Sequence, residues 1–209
     1  MVQGSGEAEA AGRRKKRNNA IVAIASGALP GIALAIFWKT PWLHWASGLV
    51  IGIVWANGFE YFYHRYLLHR PATSFSRGHR QHHASVGHPT EPEHVTLGRS
   101  PWHLSLLFAG NGVFLVCIDL LFKFNLTPGI LCGWTLYLIA AEEVHWRIHM
   151  NGWLPLGLRF AREYHMSHHD IPNRRYNVFF PLFDFLLGQY KIAERRPGMP
   201  LDSNLFVGH

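Results

Sequence analysis

A chain of 209 residues with 48% hydrophobic and 14% aromatic residues and a formal net charge of +7 has room for one domain and hardly for two. The basic excess invites a nucleic-acid partner, but its distribution excludes that reading. Every Lys and Arg except Lys39 and Lys123 falls in one of three stretches separated by pairs of apolar runs, the pattern of membrane topology rather than DNA binding.

Residues 1–19 are Gly-, Ala- and Glu-rich, end in the basic run 13–17 and lack an apolar pattern, so they are expected to be disordered. Four apolar runs follow, at about 20–38, 42–63, 102–124 and 128–146, each near the ~20 residues an α-helix needs to cross hydrocarbon. The first is too long for a cleavable signal and reads as a retained anchor. A soluble helical bundle is the weaker alternative, because its helices run shorter and keep a polar stripe. Thr40-Pro41, Ser100-Pro101 and Thr127-Pro128 mark the starts of the last three runs, where a side-chain oxygen can cap the helix and proline can occupy its first turn. Trp38, Trp42, Trp102 and Trp146 sit near the run ends, as in an interfacial aromatic belt.

These features predict an all-α integral membrane protein of four transmembrane helices in two hairpins. The positive-inside rule places both termini, and the histidine-rich regions between and after the hairpins, in the cytoplasm. The second of those stretches, 70–99, holds Gly78, Gly87, Pro89 and Pro92 and reads as short helix and ordered loop. Asn151-Gly152 reads as a turn, followed by a helix over about 156–169. The apolar stretch 179–187 fits either an interfacial element or packing beneath the bundle. The membrane domain is expected over 20–192, and the charged tail 193–209 carries no evident chemistry. Cys117 and Cys132 lie inside apolar runs as small core residues.

Four histidine boxes occupy the cytoplasmic regions: His64-x4-His69, His79-x2-His82-His83, His145-x3-His149 and His165-x2-His168-His169. A helix advances about 100° per residue, so His145 and His149 share a face, and each triplet can present its three rings together. His64 and His69, five steps and roughly 140° apart, require a helix end, a bend or a π-bulge. A single box arises readily by chance, whereas four, with the triplet repeated, point to a cap that binds metal. Imidazole suits zinc, iron, copper and nickel, and ten rings exceed what one ion needs, so two ions are expected. The His-Glu-x2-His string of helical zinc proteases is absent, which favours oxidative over hydrolytic chemistry. Glu60, Glu142, Asp170 and His88 stand near the boxes as groups that would orient the ligand rings; Glu143, off the His145 face, is expected to be a surface or helix-pairing charge. Asp119, near the outer end of its run, is either functional or drawn to the interface.

The strings His64-Arg-Tyr-Leu-Leu-His69, His79-Arg-Gln-His82-His83, His145-Trp-Arg-Ile-His149 and Tyr164-His165-Met-Ser-His168-His169, with Asn177-Val-Phe-Phe-Pro-Leu-Phe-Asp184, resemble the fatty acid hydroxylase superfamily, which includes sterol desaturase-like enzymes. The resemblance runs from about residue 59 to 188, and the box spacings are most similar to fatty acid 2-hydroxylase catalytic domains. It implies a membrane mono-oxygenase with two iron ions (Fe2+) held by the ten boxed histidines and O2 as co-substrate, zinc being a substituted metal. It also implies a lipid substrate. Eukaryotic relatives commonly carry a fused haem domain of the cytochrome b type; none is seen here, which implies a separate electron donor, whether ferredoxin, cytochrome or reductase. Carotenoid or sterol hydroxylases and desaturases are rivals within the class. A membrane metal transporter and a membrane cytochrome are rivals outside it.

Overall fold

The computed structural model describes residues 2–69, 74–96 and 101–190, and among these it is helical without strands. Helix α1 (Val2–Ala23) passes through a π-helical turn (Ile24–Ala28) into α2 (Leu29–Phe37). Pro30 lacks an N–H and its ring crowds the carbonyl four residues back, so the wide turn sits where a regular helix would be strained. Next come α3 (Trp42–Tyr63), a second π turn (His64–Leu68), α4 (Ser74–Ser85), the one-turn α5 (Glu91–His94), α6 (Pro101–Phe122) and α7 (Thr127–His149). A 3-10 turn (Leu156–Leu158), α8 (Phe160–Asp170) and α9 (Leu182–Leu186) complete the described chain.

Among the described residues two helices are long and apolar enough to cross a membrane, Gly6–Phe37 and Trp102–Phe122, and most residues in their apolar windows are not buried. That exposure distinguishes them from the core helices of a soluble protein. Helices α3 and α7 have the length, but Asn57, Glu60, Glu142 and Glu143 dilute their hydropathy.

The basic N-terminal stretch is not disordered, as expected from its composition, but helical from Val2. Its charges find tertiary partners: Lys16 pairs with Glu143 at 2.5 Å, and Arg13 and Lys16 lie 5.8 and 5.1 Å from the Trp146 ring centroid. A Cβ added at Gly12 would meet the Trp146 ring at 2.7 Å, so the helix rests directly on that indole. Glu143 also holds Arg147 at 2.6 Å, and is thus the helix-pairing charge expected.

Helices α3 and α7 form the central pair, and glycine sets their distance. Gly48 and Gly52 on α3 face Gly129 and Gly133 on α7; a Cβ at Gly52 would lie 2.8 Å from the Ile130 Cα, and one at Gly129 2.7 Å from the Leu49 nitrogen. Two small-x3-small stripes thus bring backbone against backbone, as membrane helix pairs do. Around them Ala23, Ala56, Leu104, Phe108, Trp134 and Leu138 form the main apolar core.

The three Pro-marked starts agree with the helix boundaries to within a residue, but the capping mechanism differs where it is described. Neither α3 nor α7 has a side-chain cap from its own Thr; Thr40 bonds Asn125 Oδ1 at 2.6 Å and Thr127 Oγ1 donates to the Leu115 carbonyl at 3.0 Å. Buried Asp119 does the capping instead, accepting the N–H groups of Asn125, of Leu126 at 2.9 Å and of Thr127 at 2.7 Å. The acid is therefore a structural element of the α6–α7 turn. Ser100 lies outside the described residues. In the apolar stretch 179–187 both readings hold in part: Phe183 packs on Gly58 and Tyr61, while Phe185 and Leu186 are exposed.

Candidate metal centre

The first box is built by the π turn. The His69 N–H reaches the His64 carbonyl at 3.2 Å, five residues back, and the wider turn brings the two rings to 4.9 Å between centroids. The spacing that would separate them on a regular helix is cancelled by one extra residue per turn. On regular helices the four-step pairs behave as the geometry demands: His79 and His83 on α4 are 4.5 Å apart, His145 and His149 on α7 4.7 Å, and His165 and His169 on α8 4.9 Å.

The triplets do not present three rings to one place. Steps of three and four straddle a helix face by about 100°, so the middle histidine of each triplet leaves its own pair for the other pocket. His82 lies 4.8, 4.6 and 4.7 Å from His145, His149 and His169; His168 lies 4.6, 4.9 and 5.0 Å from His64, His69 and His83. Two five-ring groups result: site A with His64, His69, His79, His83 and His168, and site B with His82, His145, His149, His165 and His169. They share a wall, for the His83 and His169 rings are 4.3 Å apart.

The inner nitrogens fit a cation and little else. His79 Nε2 lies 3.0, 2.9 and 3.0 Å from the Nε2 atoms of His64, His69 and His83. His165 Nε2 lies 2.9, 3.1 and 3.1 Å from those of His145, His149 and His169. One ring N–H can serve one acceptor, so three lone-pair neighbours around one nitrogen need a positive centre between them. Both nitrogens of His82 are likewise buried without a hydrogen-bond partner, a costly state unless one meets an ion. Rings at right angles around an ion about 2.1 Å away have nitrogens about 3.0 Å apart, whereas tetrahedral ligands are about 3.4 Å apart. The observed 2.9–3.1 Å spacing is of the size expected for donors gathered on one ion.

Burial also favours the neutral form, the one that binds metal, in the following rings. Desolvation pushes His69 and His83 down to about 4 and His168 to about 3, and holds His64, His79, His82 and His165 well below the usual imidazole range, with repulsion from neighbouring rings adding to it.

The outer nitrogens are held by groups that sequence proximity did not indicate. His64 Nδ1 meets the Tyr176 carbonyl and His168 Nδ1 the Arg174 carbonyl at 2.5 Å. Arg175 between them has φ +62°, and fully buried Asp184 accepts the N–H groups of Tyr176 and Asn177 at 2.9 and 2.7 Å. His149 Nδ1 meets the Glu91 carboxylate at 2.7 Å.

Of the four expected orienting groups, Glu60 instead accepts from Tyr137 and Asn177 at 2.8 Å each, so it braces the 176–184 segment rather than a ring. His88 is exposed and bonds Thr90 at 2.9 Å. Asp170 is exposed at the end of α8. Glu142 accepts from Asn19 at 2.7 Å, tying α1 to α7.

A cavity of about 420 Å³ opens onto the rings of His64, His79, His82, His145 and His165. Its walls are apolar where they run into the bundle, with Ala56, Phe59, Leu107, Trp134 and Leu138, and polar toward Lys15, Gln81 and His94. The cavity is thus apolar at one end and polar at the other.

Comparison with curated proteins and with solved structures returns no match for this chain. The model of the family described as "Fatty acid hydroxylase" matches residues 49–189, a span that begins on α3, ends just past α9 and encloses all ten clustered rings. With paired imidazole pockets at the mouth of an apolar cavity and that match over more than half its length, the chain belongs to the fatty acid hydroxylase family.

Proposed function

We propose that the protein is a membrane di-iron mono-oxygenase that hydroxylates a long apolar lipid chain, a fatty acid or acyl lipid, with O2 and electrons from a separate donor. The observation that supports this most is the pair of abutting five-imidazole pockets facing an apolar cavity. In this reading His64, His69, His79, His83 and His168 hold one ion, and His82, His145, His149, His165 and His169 the other. An all-imidazole donor set suits iron, and zinc would fit it as a substituted metal. Iron, when bound, supplies the reduction of O2 by two electrons and two protons that puts one oxygen into a C–H bond and releases the other as water.

The protein's own residues do the rest. Neutral imidazoles hold the ions without importing net charge into a dry site. Leu104, Leu107, Trp134 and Leu138 align the chain and exclude water along its length. Tyr137, held by Asn57 at 2.6 Å and by Glu60, fixes the polar floor of the cavity. Helices α3 and α7 complete a four-span bundle with α1–α2 and α6, and the clustering of cations beside the histidine cap supports a cytoplasmic position for cap and termini. A transporter would carry its ligands along a path near the bilayer midplane, whereas these rings gather at one end of the helices.

Lipid analysis of cells expressing the protein, beside cells expressing His79→Ala, tests this. A product with one added oxygen, absent from the variant, is expected. Loss of two hydrogens without oxygen would replace hydroxylation by desaturation, and fewer than two ions in anaerobically purified parent would refute the paired centre.

A further inference from the structure

The two pockets are not backed alike. Among the described residues, two outer nitrogens of site A, those of His64 and His168, meet neutral carbonyls, of Tyr176 and Arg174. In site B, His149 Nδ1 meets a carboxylate, Glu91 Oε1, at 2.7 Å. That carboxylate is built in: Glu91 is 8% exposed, its other oxygen accepts the Gly87 N–H at 2.7 Å, and its own N–H donates to the His88 carbonyl at 2.9 Å. Gly87 has φ +74°, a conformation that favours glycine, so the 85–91 loop is shaped to hold the acid in place. With Nδ1–H donated to Glu91, the Nε2 lone pair of His149 is left for the pocket, and the carboxylate fixes the tautomer and orientation of the ring.

We infer that the two ions are inequivalent: Glu91 is a positioning residue that makes site B the tighter site. This rests on the reading that the array binds two ions, and the test separates the two. Metal-free full-length protein in detergent is titrated with Fe2+ under anaerobic conditions and, in parallel, with Co2+, whose visible bands report each ion's ligand field.

Two tight ions of unequal affinity are expected for the parent. In His168→Ala, which cripples site A, adding Glu91→Gln should weaken the remaining ion by about 10–100-fold. In His82→Ala, which cripples site B, adding Glu91→Gln should leave the remaining ion unchanged. Mössbauer spectra of the iron-loaded parent should show two components, of which Glu91→Gln shifts one. Glu91→Gln keeps an oxygen for Gly87, and an unchanged melting midpoint of the metal-free form shows that the fold is intact. Glu91→Asp should recover part of the lost affinity, which a purely structural role for the loop would not produce.

If Glu91→Gln weakens both ions equally or neither, the inequivalence is wrong while the two-ion centre stands. If the parent binds no second ion, both fall together.

Discussion

Gly129→Ala adds a single methyl group where the structure has no room for one. Its Cβ would lie 2.7 Å from the Leu49 nitrogen and against the Trp45 carbonyl, both backbone atoms of α3 that no side-chain rotation can move away. Restoring an ordinary contact of about 3.5 Å to the Leu49 nitrogen alone requires the helices to part by roughly 0.8 Å, and clearing the nearer Trp45 carbonyl requires more. Overpacking of this kind costs about 1–3 kcal/mol, which lowers the melting midpoint of a chain this size by about 2–12 °C. The movement also reaches the metal centre, because α3 leads directly into His64 while α7 carries His145 and His149. Ligand distances tolerate only about 0.2 Å, so metal affinity should fall together with stability. Gly110→Ala on α6 is the control: nothing lies within 4 Å of its Cβ, and the exchange should gain up to about 1 kcal/mol of helix propensity. Thermal unfolding in detergent with metal analysis reads both. A Gly129→Ala protein that melts at or above the parent with full metal would refute the close-packed α3–α7 pair as the frame of the site.

Acid should destabilise the metal-free protein. Buried His168 is pushed down to about 3, whereas in the unfolded chain it protonates near 6.5, so below that pH the unfolded state takes up the proton first. Stability is complete above about 6.5 and declines as pH falls toward 3; at pH 5 this one ring costs about 2 kcal/mol. Denaturant unfolding at pH 7.5 and 5 should show the loss, and equal stability would contradict it. The exchanged ligands predict a specific non-additivity: His64→Ala combined with His168→Ala should lose one ion, as either does alone, while His82→Ala combined with His168→Ala should lose both. Metal counts that group His168 with His165 and His169 would overturn the assignment. Leu107→Trp fills the cavity without touching a ligand, so turnover of long chains should fall by roughly ten-fold at unchanged metal content; full turnover would place the substrate elsewhere.

The two ring clusters were legible because helix geometry is local. Spacing alone showed that His64 and His69 needed an irregular turn, and that turn is present. Which rings share an ion was not legible, since it depends on how α4 and α8 face each other, and a one-step difference within a triplet decides the pocket. Nearby acids misled for the same reason. Glu60 and Asp170 sit beside boxes in sequence but point elsewhere, and Glu91 reaches His149 across 58 positions of chain. Nothing local distinguishes Glu91 from Glu93. The N-terminal helix was hidden because its composition lacks an apolar face; what orders it is Trp146 and Glu143, both far along the chain. The paired glycine stripes stood in the sequence as two Gly-x3-Gly strings, and only their facing each other gives them meaning.

Four rings of site A come from before the third long helix and one from after it; site B reverses the proportion. Each half of the polypeptide therefore brings four rings to one pocket and lends a single ring to the other. Split between α5 and α6, the fragments would each be a weak chelator, and reconstitution would be driven by metal as much as by lipid-facing contacts. On the proposed two-ion reading, metal would act as a clasp that closes only when both halves are in place.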